Sequence, residues 1–488
     1  MAAPGEASEG FPAAAAALRE AGDAFVAVAA DELELERGTT GGDEAVEAAA
    51  GLRAAFGGVD AIAALCEGAE GGVDEVEACA QAAERCAAAA WLVARSGAGW
   101  SSPAWREAFV LGSCCGALAR AALARRARER GEECAGAEGW GARARAALRA
   151  LDTASVMGAP AELFLPLASA VAPLVAAASV TSDADGPDRV CDASDRPTEQ
   201  PETIPSELMD ADAPALSLPP VAAIEPEAAG GGGPRVYPAS ALRPFWESDS
   251  PVVMRGLAAH WPAVRKWADL RWWTREHGAR TVPLELGEHG GGEWREELST
   301  LGDFVAAYLA PSARATAGEA PARVGYMAQH HLLEQLPSLM DDIEVPDACA
   351  VGDLSKINAW LGTKGTVSPC HFDSYDNVFV QVCGFKHMRL YPSSQSKYLY
   401  RCKGGWKGQR AWPSPEEQAK AAAQGGAARK GTISAVDVEA PDLEMFPLFA
   451  QAKGVDVLLA PGDALYLPAR CWHHVRACTA SISLSFHM

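Results

Sequence analysis

Two short segments carry the residues best suited to chemistry: His371-Phe372-Asp373, and Trp472-His473-His474 just after Pro461-Gly462-Asp463. Two imidazoles and one carboxylate are the donor set of non-haem Fe(II) oxygenases, where three protein ligands leave the opposite face open for a co-substrate and O2. The spacing has a physical basis. On a β-strand, residues i and i+2 project to one face, so His371 and Asp373 can grip one ion. The third ligand is expected from a strand on the far side of a barrel, in keeping with the long gap in sequence. Neighbours on a strand face opposite ways, so only one of His473 and His474 can point inward.

A lone His-x-Asp is a weak signal, because a single His is more often a core or surface residue. Its surroundings add to it. Val378, Val380 and Val382 alternate with other residues, then Gly384 follows, so the stretch from Asn377 to Tyr391 reads as strand, tight turn, strand. Lys386 opens the second strand, which antiparallel pairing can set beside the strand bearing the ligands. A buried cation there requires an anionic partner, and the distal carboxylate of 2-oxoglutarate is one.

These segments resemble the JmjC family of Fe(II)- and 2-oxoglutarate-dependent oxygenases, and within it the branch described both as arginyl hydroxylases and as lysine demethylases. The likeness runs through Pro251-Val-Val-Met-Arg-Gly-Leu-Ala-Ala-His-Trp-Pro262, residues 280–287, 324–330 and 357–362, the two ligand segments, and residues 436–444 between them. It covers about residues 235 to 488, and so many ordered matches are more specific than one motif.

The resemblance implies Fe(II) as cofactor with 2-oxoglutarate and O2 as co-substrates. It selects His473, directly after Trp472, as the third ligand beside His371 and Asp373, leaving His474 as a packing or surface residue. It implies that Lys386 binds the distal carboxylate of 2-oxoglutarate and that Tyr326, Ser368 and Asn377 hydrogen-bond the same molecule. On their own these three read as a core aromatic, a turn residue before Pro369 and the opening residue of a strand. Glu285 and Trp360 match positions where an acid holds, and an aromatic face stacks on, a substrate guanidinium. Without the resemblance they read as an exposed strand charge and a packed core residue. The implied reaction is hydroxylation of a protein side chain, foremost at an arginyl carbon. Demethylation of histone methyl-lysine is the second reading and a non-catalytic scaffold the third.

Two departures from the family stand out. Residues 401–430 look like an insertion, with a short helix expected over 413–420. The family tends to finish with aromatic residues after Ser-Phe, whereas here Ser485-Phe486 is followed by His487-Met488.

A chain of 488 residues with 49% hydrophobic content is long enough for two domains with sizeable cores. The expected fold class is α+β multidomain. Residues 1–178 are Ala-rich with a helical pattern. Pro103 opens one helix, and Trp105, Phe109, Val110 and Leu111 form its apolar side. The basic run over residues 125–130 reads as a solvated helix end. Residues 179–234 read as a disordered acidic linker, because Asp183 to Glu227 holds twelve acids and two arginines, a net of −10. Residues 235–488 are the catalytic domain, a double-stranded β-helix with helical flanks around 267–277 and 301–309. All ten histidines lie from His260 onward, so His-based metal chemistry belongs there.

The formal charge of −22 argues against direct nucleic-acid binding and suits a basic protein or peptide partner containing Arg or Lys. Thirteen irregularly spaced cysteines without a Cys-x-x-Cys pair read as reduced thiols, hence nucleus or cytoplasm. No uninterrupted apolar run long enough to span a bilayer is evident, so no membrane partner is expected.

Overall fold

The computed structural model describes residues 11–21, 50–51, 54–55, 58–66, 72–95, 103–136, 139–182, 203–224, 236–287, 294–315, 323–402, 419–420, 422–423 and 431–488. The chain forms two compact units, residues 1–196 with 279–282, and residues 197–278 with 283–488.

Unit 1 is a helical module whose longer described helices are α1 (Val59–Cys66), α2 (Val73–Arg95), α3 (Pro103–Glu129), α4 (Trp140–Val156) and α5 (Ala161–Ser182). The alanine content sets how these pack. Ala80 and Ala83 of α2 and Ala117 and Ala121 of α3 are buried, so the two backbones come close together. A Cβ at Gly112 would stand 3.0 Å from the Ala83 carbonyl oxygen. Pro103 opens α3 as expected, and Trp105, Phe109, Val110 and Leu111 are buried. At the other end of α3 the basic run is locally paired, Arg125 Nε lying 2.9 Å from Glu129 Oε1. Two helical stretches, Trp105–Glu129 and Ala161–Ala178, are apolar and long enough to cross a bilayer by length and composition, which corrects the sequence reading. The first is 89% buried within the protein, as in the core helix of a helical bundle.

Unit 2 is built on two sheets. In chain order the strands are β1 (Ala223–Ile224), β2 (Val252–Met254), β3 (Thr281–Leu286), β4 (Arg295–Thr300), β5 (Gly325–His330), β6 (Lys356–Gly362), β7 (Val367–His371), β8 (Asn377–Cys383), β9 (Lys386–Tyr391), β10 (Arg401–Cys402), β11 (Ile433–Ser434), β12 (Val455–Leu459), β13 (Ala464–Leu467), β14 (Trp472–Ala477) and β15 (Ser481–His487). One sheet runs β1-β2-β13-β8-β15-β6-β5-β3-β4 and the other β10-β11-β7-β14-β9-β12. From β6 to β9, and again from β12 to β15, successive strands alternate between the sheets. That alternation is the double-stranded β-helix. Each crossing needs a tight corner. Between β8 and β9 the corner is Gly384 at φ +70°, where a Cβ would collide with the Ala480 carbonyl.

The apolar layer between the sheets includes Tyr326, Trp360, Phe379, Met388, Leu390, Val457, Leu465 and Val475. Helical flanks form at Leu270–His277 and Leu301–Phe304, the latter continuing to Leu309. Trp261 closes the outer face of the larger sheet, its ring 6.2 Å from that of Phe486.

Part of the segment expected as a disordered linker is instead an ordered strap on unit 2. Thr203 bridges to Asp269, Asp212 takes the Lys364 ammonium at 2.6 Å, and β1 pairs in parallel with β2. The fully buried carboxylate of Asp456 accepts from the Ser217 and Leu218 amides at 3.0 and 3.1 Å. A buried carboxylate needs such donors, and the strap supplies them while burying Ile204 and Val221. Residues 183–202 and 225–235 lie outside the described residues, as does most of the insertion. The helix expected over 413–420 is described only at 419–420.

Candidate metal centre and cavity

β7 and β14 are antiparallel neighbours with His371 directly opposite His473. The third donor therefore comes from the adjacent strand, not from the far side of the barrel as the sequence gap suggested. The gap is long because β8 to β13 are threaded through both sheets before β14 returns to β7's side. The ring centroids stand 4.2 Å apart. Asp373 lies just past the end of β7, its backbone carbonyl accepting from the Arg470 amide at 2.7 Å. His473 Nε2 is 3.7 Å from Asp373 Oδ2, and one donor atom from each of the three residues lies within 4.8 Å of the others.

The hydrogen bonds set the tautomers. His371 Nδ1 donates to the Pro369 carbonyl at 2.6 Å and His473 Nδ1 to the Cys471 carbonyl at 3.0 Å. A carbonyl only accepts, so the proton belongs on Nδ1 and each Nε2 presents its lone pair. Two such nitrogens and a carboxylate oxygen fit an Fe(II) ion with open positions. His474 turns the other way. It is buried against Glu439, 3.6 Å from its carboxylate, and burial pushes its pKa down to about 4 despite the pull of that neighbour. The register of β14 against β7 shifts between His473 and Val475, a bulge of the kind that re-aims side chains.

A cavity of about 350 Å³, counting its space open to solvent, joins these donors to Tyr326, Trp360, Ser368, Asn377 and Lys386. Lys386 is 1% exposed, with Nζ 3.4 Å from Tyr326 Oη and 5.4 Å above the Phe379 ring. Burial lowers its pKa to about 7. Its strand β9 pairs with β14, which places it beside a ligand-bearing strand as expected. Trp360 lines the cavity, but its indole N–H is engaged by Ser485 Oγ at 2.9 Å, so it is also held as a packed wall.

Glu285 is not among the cavity-lining residues. It sits on β3 opposite Tyr326 of β5, in the nine-stranded sheet, whereas β7 and β14 belong to the other sheet. Six cavity residues were missed from sequence: Phe379, Met388, Leu467, Val475, Ser485 and His487. Their signal was present as period-two alternation. Asn377 and Phe379 share a face of β8, and Ser485 and His487 share a face of β15.

A family model described as a cupin-like domain matches residues 238–487. Lysine-specific demethylase 8 of Xenopus tropicalis is 36% identical over 241 residues, covering 48% of this chain and 47% of that protein. Jumonji C domain-containing protein 5 of Drosophila melanogaster is 34% identical over 251 residues, covering 49% and 55%. The human bifunctional peptidase and (3S)-lysyl hydroxylase JMJD7 is 28% identical over 256 residues, covering 48% and 76%. The chain spans about half the length of the first two relatives.

Proposed function

We propose that this chain, which belongs to the cupin-like domain family, is an Fe(II)- and 2-oxoglutarate-dependent dioxygenase that hydroxylates a side chain of a protein substrate. One observation carries the reading: the His371, Asp373 and His473 donors open into the same cavity as a buried lysine. Iron and 2-oxoglutarate bound there would supply O2 activation and oxidation of an unactivated C–H bond, with succinate and CO2 as co-products.

The chain's own residues do the rest. Lys386 would hold the distal carboxylate of 2-oxoglutarate, since an ammonium this deeply buried is stabilised by an anion. Tyr326 Oη, 3.4 Å from Lys386 Nζ, would donate to that same carboxylate. Ser368 and Asn377 line the same cavity and would hydrogen-bond the co-substrate. Phe379, Met388 and Val475 keep the deep part of the cavity apolar, which strengthens the Lys386 ion pair.

The substrate is a basic protein or peptide, in keeping with the acidic chain, and arginyl carbon is the foremost target. Glu285 would hold the guanidinium from its place beside Tyr326, and Trp360 would supply an aromatic face. Methyl-lysine demethylation is the second reading, favoured by the relative named a lysine-specific demethylase. The protein would meet either substrate in nucleus or cytoplasm. Mass spectrometry of Arg-containing and methyl-lysine peptides after incubation with protein, Fe(II), 2-oxoglutarate and ascorbate tests both. An oxygen added to Arg, absent with His371→Ala, supports the hydroxylase. Loss of a methyl group with formaldehyde supports the demethylase. No succinate under any condition overturns the dioxygenase.

A further inference from the structure

β15 reads Ser481-Ile482-Ser483-Leu484-Ser485-Phe486-His487, so three serines and His487 share one face. Ser485 and His487 line the metal cavity, while Phe486 turns outward to Trp261.

The strand registers place His487 along that cavity. On β14, Lys386 pairs with Ala477, four residues beyond His473, or about 13 Å along the strand. On the facing sheet, Phe379 lies against Lys386 and pairs with Ser485, and two residues on Asn377 pairs with His487. His487 therefore lies at the metal end, away from Lys386. The two ends differ in access. Lys386 is 1% exposed, whereas Tyr375, in the loop between Asp373 and β8, is 48% exposed. The Tyr375 ring meets His487 edge-on, with centroids 6.1 Å apart at 79°. At this end the Asp373 side chain is 27% exposed, and the Tyr375 ring lies against His487, which is itself 3% exposed.

His487 is also fixed in place. Its carbonyl accepts from the Ser355 amide at 2.8 Å and the Ser355 hydroxyl at 2.9 Å, and the next amide, Met488 N–H, donates to the Asp376 carbonyl at 2.9 Å. The main chain that carries the imidazole is thus held on both sides.

We propose that His487 is a specificity-determining residue, contacting the substrate side chain as it passes toward the metal, with Tyr375 as the outer wall. This rests on the reading of the cavity as a dioxygenase site. An imidazole combines a flat face with ring nitrogens that donate or accept hydrogen bonds. The side chain it selects is planar and bears N–H groups, a guanidinium or a carboxamide rather than an aliphatic chain.

The test uses the full chain and peptides that differ only at a central Arg, Gln, Lys or Leu. Peptide-dependent succinate release gives KM for wild type, His487→Leu and His487→Gln, and anaerobic titration of the Fe(II)-loaded proteins gives the Kd for 2-oxoglutarate. His487→Leu is expected to raise KM about tenfold or more for the Arg or Gln peptide and to narrow its advantage over the Leu peptide. His487→Gln, which retains a hydrogen-bonding group, recovers most of that loss. The 2-oxoglutarate Kd moves by less than about threefold, because Lys386 lies at the other end. An unchanged KM and peptide ranking in both variants overturns the proposal. So does a parallel weakening of 2-oxoglutarate and peptide, which marks a structural role. Wild type that binds Fe(II) and 2-oxoglutarate but turns over no peptide also overturns it. Wild type that binds neither fails the dioxygenase reading itself.

Discussion

His371 and His473 are direct cross-strand partners whose Nδ1 atoms each bond to the backbone carbonyl two residues earlier in the chain, Pro369 for the first and Cys471 for the second. The two imidazoles are therefore fixed in one tautomer by their own strands. Neither depends on a distant carboxylate for its orientation, so the geometry survives as long as the β7–β14 pair does.

Removing either ring should abolish tight metal binding without unfolding the barrel. His371→Ala and His473→Ala are expected to weaken Fe(II) or a surrogate divalent ion by at least about a hundredfold. His474→Gln, on the other face of β14, keeps metal affinity within about threefold and instead lowers Tm, because the buried ring packs against Glu439. Isothermal titration and thermal melts separate the two effects. Equal metal loss in His474→Gln would reassign the third ligand.

Lys386 links co-substrate affinity to pH. Its ammonium is present below about pH 7 and is lost as pH rises through that value. An anion bound beside it raises the pKa, so binding takes up a proton above pH 7. The Kd for 2-oxoglutarate should then rise by up to about tenfold per pH unit above 7 and level off below it. A flat profile from pH 6 to 9 contradicts Lys386 as the anchor.

The same burial makes Lys386 a stability liability. In the unfolded chain the amine keeps its ordinary pKa near 10.5, so between about 7 and 10.5 the unfolded state binds the extra proton. Stability contributed at this site rises with pH across that window. Lys386→Met should raise Tm at neutral pH by several degrees while eliminating 2-oxoglutarate binding. A Tm lower than wild type at pH 7 would show that the cavity needs the cation for folding.

Asp456 ties the strap to the barrel. Its carboxylate takes two strap amides and lies 3.3 Å from both His387 Nε2 and Arg389 Nε. Asp456→Ala leaves Arg389 and those amides short of an acceptor and should cost about 3–5 kcal/mol. Deleting residues 203–224 should destabilise unit 2 similarly. Urea denaturation read by tryptophan fluorescence measures both, and a cost under 1 kcal/mol in either would make the strap a passive segment.

The metal site was legible because its grammar is local. His371-x-Asp373 follows strand periodicity, and opposite-face geometry narrowed the third ligand to one of two adjacent histidines. Lys386 was legible as a cation opening a strand. Strand order was not, since nothing in residues 371 and 473 announces that their strands are adjacent. The strap was hidden by averaging. Across 179–234 acids dominate, yet Ile204 bonds to the Ala268 carbonyl, and Leu218 and Val221 bond to Asp456, more than two hundred residues away. Glu285 was singled out by its position in a matching stretch, yet its strand β3 belongs to the other sheet from β7 and β14 and it does not line the cavity. His487 was noticed only as a deviation, although alternation along β15 gives it the same facing as Ser485.

The place of β15 also governs when this protein can fold. It lies between β8 and β6, and the hydrogen bond from Trp360 to Ser485 joins residues 125 positions apart. Until residues 481–487 are synthesised, two central strands present bare edges to solvent and to one another's copies. Such non-local closure is slow, and the delay is an aggregation hazard during synthesis. The nascent barrel should therefore depend on chaperones more heavily than the Ala-rich helices before it, whose contacts are short-range and complete early.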